Sequence, residues 1–303
     1  MLRWLRTIDR KSLLFFLSIV GPGLITANVD NDAAGITTYS VAGSHYGYAL
    51  LWSFIPMLAL LIVVQEMVAR LGVVTGKGLS DLIREEFGVK TTVFIMLALL
   101  VTNLGTCAAE FAGLAASLEI FGVSRYFSVP VACAVIWLLV VKGTYKTVER
   151  VFIGACIIYF SYILSGFMAE PDWGEVARHT LWPNVRMDMA FIGLLIGMVG
   201  TTISPWMQFY QQAAIVEKGV SVENYRFVRW DVILGCIMAS TVAFFIVMAC
   251  GATLFKGGIV IETAEDAAMA LTPLAGGFAK ILFAVGLVNA SLFAATILPL
   301  STT

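Results

Sequence analysis

The sequence is dominated by long apolar stretches. Eight of them are separated by polar segments, at approximately residues 12–42, 47–70, 91–120, 128–142, 150–169, 188–216, 231–254 and 279–301. A helix of about 20 apolar residues crosses the hydrocarbon core of a bilayer. The chain is 59% hydrophobic and 13% charged, whereas soluble domains carry about 25% charged residues. The sequence therefore predicts an all-α membrane protein whose main partner is the lipid bilayer.

The basic residues indicate how the chain is oriented in the membrane. Fourteen of the 19 Lys and Arg lie in the N-terminal segment or in the segments after the second, fourth and sixth apolar stretches. Basic residues concentrate on the cytoplasmic side of a membrane. We therefore expect a multi-pass protein of the bacterial plasma membrane with a cytoplasmic N-terminus. The net charge of −1 gives no indication of a nucleic-acid partner.

Several segments beside the apolar stretches carry their own predictions. Residues 170–187 predict a long outer connection, and residues 257–276 predict an amphipathic segment at the outer surface. Asp231, at the start of the seventh stretch, is interpreted as a first-turn carboxylate at the membrane surface. The sequence ends at Thr303, at or inside the eighth stretch, so we expect later helices to be missing. The five cysteines form no CxxC pair and indicate neither disulfides nor a thiolate metal site.

The first apolar stretch is interrupted by polar residues. Residues 21–40 read GPGLITANVDNDAAGITTYS, with Asp30, Asn31 and Asp32 in the middle and Gly35 just beyond. An ionised aspartate at the centre of a bilayer costs about 2.5–3.5 kcal/mol on insertion scales. Two of them require a water-filled cavity, a bound cation or both, unless the pair lies in an ordinary loop at the membrane surface.

The sixth stretch is interrupted as well. Residues 197–212 read GMVGTTISPWMQFYQQ, and Pro205 lacks the backbone donor that a continuous helix needs. The alternative is a simple proline kink. A broken helix at the start of each half is the sequence pattern of an inverted-repeat transporter with its site near mid-membrane. We therefore expect one transmembrane domain over residues 1–303, with a first repeat of helices 1–5 at about 12–169 and an incomplete second repeat from about 188.

Three segments resemble the Nramp family of divalent-metal transporters. Residues 32–52 (DAAGITTYSVAGSHYGYALLW) match its first-helix motif, and residues 65–88 (QEMVARLGVVTGKGLSDLIREEFG) match the end of its second helix and the following loop. Residues 108–115 (AAEFAGLA) are similar to its acidic third-helix motif. The resemblance implies the LeuT-like (APC) inverted-repeat fold, with helices 1 and 6 broken and this chain truncated after about eight helices. It also implies a site for a divalent cation, which suits a carboxylate beside free backbone carbonyls.

The chain departs from the family pattern at the metal site. Asp32 matches the metal-binding aspartate, but Gly35 stands where the family has an asparagine. Ser204, Pro205 and Trp206 match the family's Met-Pro-His, so the thioether ligand and the histidine are absent. Oxygen-only, partly hydrated sites suit Mg²⁺, whereas thioether sulfur favours transition metals. We therefore expect a preference for Mg²⁺, with Mn²⁺ also accepted, as in the Nramp-related magnesium transporters.

The resemblance also bears on proton coupling. The family's proton-pathway acids in the third helix correspond to Cys107 and Glu110. The loss of one acid and of the histidine removes groups that a proton pathway uses, so we expect transport without proton coupling. Glu110, Cys107 and Trp206 are candidates for an aqueous pathway, and the alternative for Glu110 is a buried pair with a basic residue.

The resemblance assigns the candidate metal ligands by position. Asp32 is the direct carboxylate, and the carbonyls of Val29 and Thr201 match positions that supply backbone oxygen in the family. Asp30 and Asn31 either lie in the outer coordination shell and line the approach, or they cap a helix end. The complete set of candidate metal-site residues is Asp32, Val29, Thr201, Ser204, Asp30, Asn31, Gly35, Thr202 and Gln208.

Other functions are left open by the sequence. A proton-coupled Mn²⁺ or Fe²⁺ carrier is the first alternative, and a symporter in which Asp32 pairs with the ammonium of an amine or amino acid is the second. An intramembrane enzyme would use Asp30 and Asp32 as an acid–base pair, but no second acidic motif except Glu110 supports it. We expect no enzyme and no cofactor, with Mg²⁺ or Mn²⁺ as the transported substrate. The oligomeric state is left open.

Overall fold

The computed structural model describes residues 21–142, 154, 156–262 and 264–301, with the side chains of all but 28, 142, 264–265, 267–280 and 300. All regular elements in these ranges are helical. The predicted beginnings of the first and fifth apolar stretches, at 12–20 and 150–153, lie outside the described residues, as do the basic residues before position 21.

The described residues form eleven α-helices. They are α1 (Pro22–Val29), α2 (Ala33–Tyr46), α3 (Phe54–Thr75), α4 (Leu79–Glu119), α5 (Arg125–Lys142), α6 (Phe160–Met168), α7 (Trp173–Leu181), α8 (Met189–Thr202), α9 (Pro205–Lys218), α10 (Tyr225–Cys250) and α11 (Ala264–Leu300). Short 3₁₀ turns precede α3, α6 and α10, and a π-helical turn at Gly251–Phe255 extends α10. At Gly88, with φ of 79°, α4 bends between a surface segment and its apolar span.

Five segments among the described residues are long and apolar enough to cross a membrane, which makes the chain a multi-pass membrane protein. They are Leu51–Thr75, Leu79–Glu119, Met189–Lys218, Val222–Phe255 and Ile281–Pro299. The segments Arg125–Val141 and Ile157–Met168 are apolar but shorter. The first predicted span differs because it is divided into α1 and α2, of 8 and 14 residues, and neither alone reaches the length of a span.

Both predicted interruptions are present. Asp32, with φ of −73° and ψ of 179°, leaves the helical region and caps α2 through the Gly35 N–H, at 2.6 Å. Ser204 is extended, with φ of −75° and ψ of 139°, and Pro205 follows as the first residue of α9. Proline suits that position because its missing N–H would have no helical partner there. The two breaks therefore follow from local chemistry, a capping carboxylate in one and a proline in the other.

The helix α10 is central to the packing, and it contacts α1, α2, α3 and α6. The interpretation of Asp231 as a first-turn carboxylate at the membrane surface is wrong. The helix begins at Tyr225, and Asp231 is only 2% exposed. Its carboxylate accepts backbone N–H groups of Gly21, Gly23 and Leu24. Asp231 therefore caps the beginning of α1, a partner far away in the sequence.

The connections divide between two faces of the bundle. On the first face, where α1 begins, the loop between α3 and α4 contacts the C-terminal half of α9, and Gln212 Nε2 donates to the carbonyl of Lys77 at 2.8 Å. On the second face, the Tyr46 hydroxyl donates to Asp188 at 3.3 Å. The predicted connection 170–187 contains α7, and the predicted surface segment 257–276 overlaps α11, which continues to Leu300 as one helix. In the described ranges, the loop after α3 therefore lies on the first face and the connection before α8 lies on the second, and the orientation that the basic residues indicate stays a prediction.

Candidate metal site

The two helix breaks meet at Gly35. A methyl group built on this residue would lie 2.8 Å from the carbonyl oxygen of Asp30, and 3.3 Å from both Asp32 Oδ1 and Thr201 Oγ1. These oxygens come from both broken helices and are of three kinds, a carbonyl, a carboxylate and a hydroxyl. The structure therefore brings Asp30, Asp32, Gly35 and Thr201 together, although Thr201 follows Asp32 by more than half the chain.

Asp32 is almost entirely buried, with 5% of its surface exposed. Its Oδ1 accepts the Gly35 N–H at 2.6 Å, so the carboxylate caps α2. The partial positive charge of a helix N-terminus stabilises an anion placed there. A carboxylate also has lone pairs for more than one partner. Asp32 can therefore cap α2 and bind a cation with its remaining lone pairs.

Glu110, in the C-terminal part of α4, adds a third carboxylate beside the first break. Its Oε2 accepts the Ala33 N–H at 3.1 Å, and its Oε1 has no hydrogen-bond partner among the described residues. In a continuous helix that N–H would donate to the carbonyl of Val29, four residues earlier. Glu110 thus takes the donor that would otherwise occupy the Val29 carbonyl. The suggested pair with a basic residue is not seen, since no described Lys or Arg lies within 4.0 Å of this carboxylate.

Asp30 and Asn31 lie in the first break but differ in their contacts. Asp30 is buried, and its Oδ1 has no hydrogen-bond partner among the described residues. Asn31 Nδ2 donates to the carbonyl of Ala239 in α10 at 3.1 Å. Asn31 therefore ties the break to α10, whereas Asp30 adds an unpaired carboxylate oxygen to the interior.

The hydroxyl groups of the second break are largely paired within the protein. Thr202 Oγ1 donates to the carbonyl of Met198 at 2.7 Å, so the Tyr39 hydroxyl, 2.8 Å away, donates to Thr202. Ser204 Oγ donates to the carbonyl of Thr201 at 3.0 Å. Thr202 therefore joins α2 to α8, and Ser204 covers one side of a carbonyl that the family resemblance assigns to the metal.

The three remaining candidates lie on two helices, α9 and α4. Gln208 is partly buried on α9, and Trp206 is buried with its ring centroid 6.5 Å from that of Tyr210. Cys107 is partly buried on α4, one turn before Glu110. No described contact connects Gln208, Trp206 or Cys107 directly with Asp32.

The arrangement suits a hard cation. Within the described ranges, no group of three His, Cys, Asp or Glu side chains is placed as a metal site. A bound cation would therefore take oxygen from Asp32, from the released carbonyls of the first break, from hydroxyls and from water. Mg²⁺ and Mn²⁺ accept such ligands. Three further residues hold the broken helices through hydrogen bonds: Tyr39 to Thr202, Ala239 to Asn31, and Asp231 to the beginning of α1. No local sequence pattern indicated a role for Tyr39 or Ala239.

The sequence match covers most of the chain. The family described as natural resistance-associated macrophage protein-like, or Nramp, matches residues 23–303. The chain belongs to the Nramp family. Among curated Nramp relatives, the divalent metal cation transporter MntH of Yersinia pestis is 29% identical over 288 residues, which are 91% of this chain and 69% of that protein. The MntH of Caldanaerobacter subterraneus is 26% identical over 287 residues, which are 90% of this chain and 67% of that protein.

Solved structures share the fold of this Nramp chain. The manganese transporter of Eremococcus coleocola, in complex with an aromatic bis-isothiourea substituted compound, superposes with a TM-score of 0.84 and 22% identity. The superposition covers 98% of this chain and 66% of that one. The chain thus spans about two thirds of the length of the proteins it matches, and it has the LeuT-like fold with broken helices 1 and 6.

Proposed function

We propose that this chain forms the metal-binding part of a transporter that carries divalent metal cations across a membrane by alternating access. The observation that carries the proposal is the convergence at Gly35, where oxygens of Asp30, Asp32 and Thr201 lie within 3.3 Å of one point. A buried carboxylate beside released carbonyls is the ligand set of a hard cation. The metal is the transported substrate, and the proposed role needs neither a cofactor nor an enzymatic reaction.

Mn²⁺ is the ion that the relatives favour. The curated relatives are named divalent metal cation transporters, and the solved structure is a manganese transporter. A preference for Mg²⁺ has no support in these names. One observation keeps it as a second candidate: Ser204 stands at the second break with a hydroxyl instead of a thioether. Oxygen ligands alone do not discriminate against Mg²⁺.

We also propose proton coupling, in place of the uncoupled transport that the sequence suggested. Glu110 supports it, because this carboxylate touches the N-terminus of α2 and keeps one oxygen without a partner among the described residues. Such a group can take up a proton when the cation leaves. The two histidines lie elsewhere, in the last turn of α2 and in α7, so Glu110 is the proposed proton carrier.

The domain organisation is part of the proposal. The chain is a single transmembrane domain, with a first repeat that ends near Met168 and a second that begins near Asp188. The N-terminus is proposed to face the bacterial cytoplasm. An amine symporter is the second alternative, and the family match together with the names of the curated relatives favours a metal ion over an amine.

The decisive experiment is metal uptake into proteoliposomes that contain the full chain and a pH-sensitive dye. Mn²⁺ should enter and acidify the lumen. Asp32→Ala should lower Mn²⁺ affinity and uptake by at least about 10- to 100-fold, the cost that even the loss of an outer-shell partner carries. The matched control is Asp172→Ala, which removes a capping carboxylate from the surface helix α7 and leaves the site intact.

Three results would contradict parts of the proposal. Equal uptake by the native chain and Asp32→Ala would remove Asp32 from the site. Entry of Mn²⁺ without acidification would overturn proton coupling. In competition, inhibition of Mn²⁺ uptake by equimolar Mg²⁺ would favour the second candidate, whereas the main proposal predicts that a large excess of Mg²⁺ is needed.

A further inference from the structure

The contact between α1 and α10 contains a buried carboxylate that the proposed metal site does not use. Asp231 accepts the N–H groups of Gly23 at 2.7 Å and of Gly21 and Leu24 at 3.2 Å each. The first N–H groups of a helix have no partner within the helix. Asp231 supplies that partner from another helix, and its negative charge faces the positive end of α1.

The backbones of α1 and α10 also approach each other unusually closely beside Asp231. A methyl group on Gly235 would lie 2.5 Å from the carbonyl oxygen of Gly23 and 2.9 Å from the Cα of Leu24. A methyl group on Gly23 would lie 2.7 Å from the backbone nitrogen of Val232. Any side chain at Gly23 or Gly235 would push the two helices apart. The close contact between α1 and α10 therefore requires glycine at both positions.

The position of α1 determines whether the metal site is covered on the first face. Only residues 30–32 connect α1 to α2, and the site lies at that junction. Asn31 fixes the junction itself to the carbonyl of Ala239. A rotation of α1 about the junction would uncover Asp30 and Asp32 from the first face, while α2 and the Asn31 contact stay in place.

We propose that Asp231 is a positioning residue that holds α1 against α10 and thereby keeps the metal site closed toward the first face. Release of the three N–H groups from its carboxylate frees α1 and opens the site on that side. The inference rests on the proposed function only in assigning this opening to the transport cycle. The contact and its opening can be measured without any metal.

The test uses cysteine accessibility in the purified full chain in detergent, where a water-soluble maleimide reaches both faces. Cys236 is buried and follows Gly235, the residue in contact with α1, so it serves as a native reporter. The other four cysteines are replaced by serine. A second series replaces this reporter by Ala27→Cys, which places a thiol at a buried position of α1 itself.

Two variants should open the contact by different means. Asp231→Asn keeps the shape but replaces charge-assisted hydrogen bonds by weaker neutral ones, and Gly235→Ala forces the backbones apart. Each variant should raise the labelling rate of both reporters by about tenfold or more. This corresponds to a roughly tenfold increase in the ratio of open to closed molecules. The matched control Asp172→Asn weakens a similar cap in α7, where Asp172 accepts from Gly174 and Glu175, and should leave the rates unchanged.

The possible outcomes are distinct. Unchanged labelling in folded Asp231→Asn would overturn the proposal, and so would aggregation of both variants in size-exclusion chromatography, because Asp231 would then be required for folding. Mn²⁺ titration on the native chain separates this test from the proposed function. Faster labelling with no Mn²⁺ binding by the native chain would support the positioning role and contradict metal transport, and Mn²⁺ binding with unchanged labelling would do the reverse.

Discussion

Gly35 shows how a single missing side chain shapes the site. The carbonyl of Asp30, the carboxylate of Asp32 and the hydroxyl of Thr201 surround the position where its Cβ would lie. A larger residue would push these oxygens apart, because two of the three are held by the backbone or by a capping hydrogen bond. In this chain, the absence of a side chain at residue 35 therefore allows the oxygens of the two breaks to lie this close together.

Gly35→Ala should weaken Mn²⁺ binding by about tenfold or more, a change of about 1.4 kcal/mol. The new methyl group would lie 2.8 Å from a backbone oxygen, so the first break has to shift. Isothermal titration of the purified chain measures the effect. Gly200→Ala is the matched control, because nothing lies within 4 Å of its added methyl group. Equal affinities in both variants would show that the metal binds elsewhere.

Ser204→Met tests ion selectivity at the second break. A thioether at this position should raise the affinity for Cd²⁺ and Mn²⁺ relative to Mg²⁺, since sulfur prefers softer metals. Competition for uptake between Mg²⁺ and each of the other ions gives the ratio. Ser204→Leu has similar size without sulfur and isolates the chemical effect. If both variants change the ratio equally, residue 204 acts through volume and not through ligand softness.

At the scale of helices, α2 begins at the site because two carboxylates accept backbone N–H groups of its first turn, which have no acceptor within the helix. Asp32 caps it within its own segment, and Glu110 reaches it from α4. The close approach of α4 is part of this arrangement, since a methyl group on Gly113 would lie 2.5 Å from the Cβ of Ala33. The N-terminus of α2 is thus defined by the packing of α4 as well as by local sequence.

Glu110→Ala should lower the thermal unfolding midpoint by roughly 2–4 °C, because loss of a helix cap costs about 1 kcal/mol. Glu110→Gln retains an oxygen acceptor for Ala33 and should stay nearer the native midpoint while abolishing Mn²⁺-driven acidification. Glu119→Ala, on the same helix, removes an exposed pair with Arg125 and serves as the control. A midpoint for Glu110→Ala equal to that of the control would contradict the capping role.

At the scale of the whole molecule, the two faces carry different elements. The first face carries the loops at residues 76–78 and 219–224, and the second carries α7 and the connection to α8. A cavity of about 300 Å³ opens on the second face between Tyr46, Tyr48, Glu175, His179 and Lys256. Between the faces, α4 and α5 expose large apolar side chains, such as Phe94 and Trp137, which suits contact with lipid.

The bias of basic residues predicts that the first face is cytoplasmic. In intact cells that express a chain without native cysteines, an impermeant maleimide should label Arg178→Cys on the second face. Lys77→Cys, on the first face, should react only after the cells are permeabilised. Both positions have exposed side chains, so accessibility within the protein does not separate them. The opposite labelling pattern would reverse the proposed orientation.

The sequence by itself determined the membrane class, the location of both breaks and the central role expected of Asp32. Those features depend on local chemistry: long apolar runs require lipid, a buried aspartate requires a partner, and proline cannot continue a helix. Only the tertiary structure decided that Glu110 meets Ala33, that Tyr39 meets Thr202, and that Asp231 holds the beginning of α1. The partners in these contacts are 77 to 208 residues apart in the sequence. A local sequence pattern can show that a buried polar group needs a hydrogen-bond partner, but only the packing of the helices decides which distant residue supplies it.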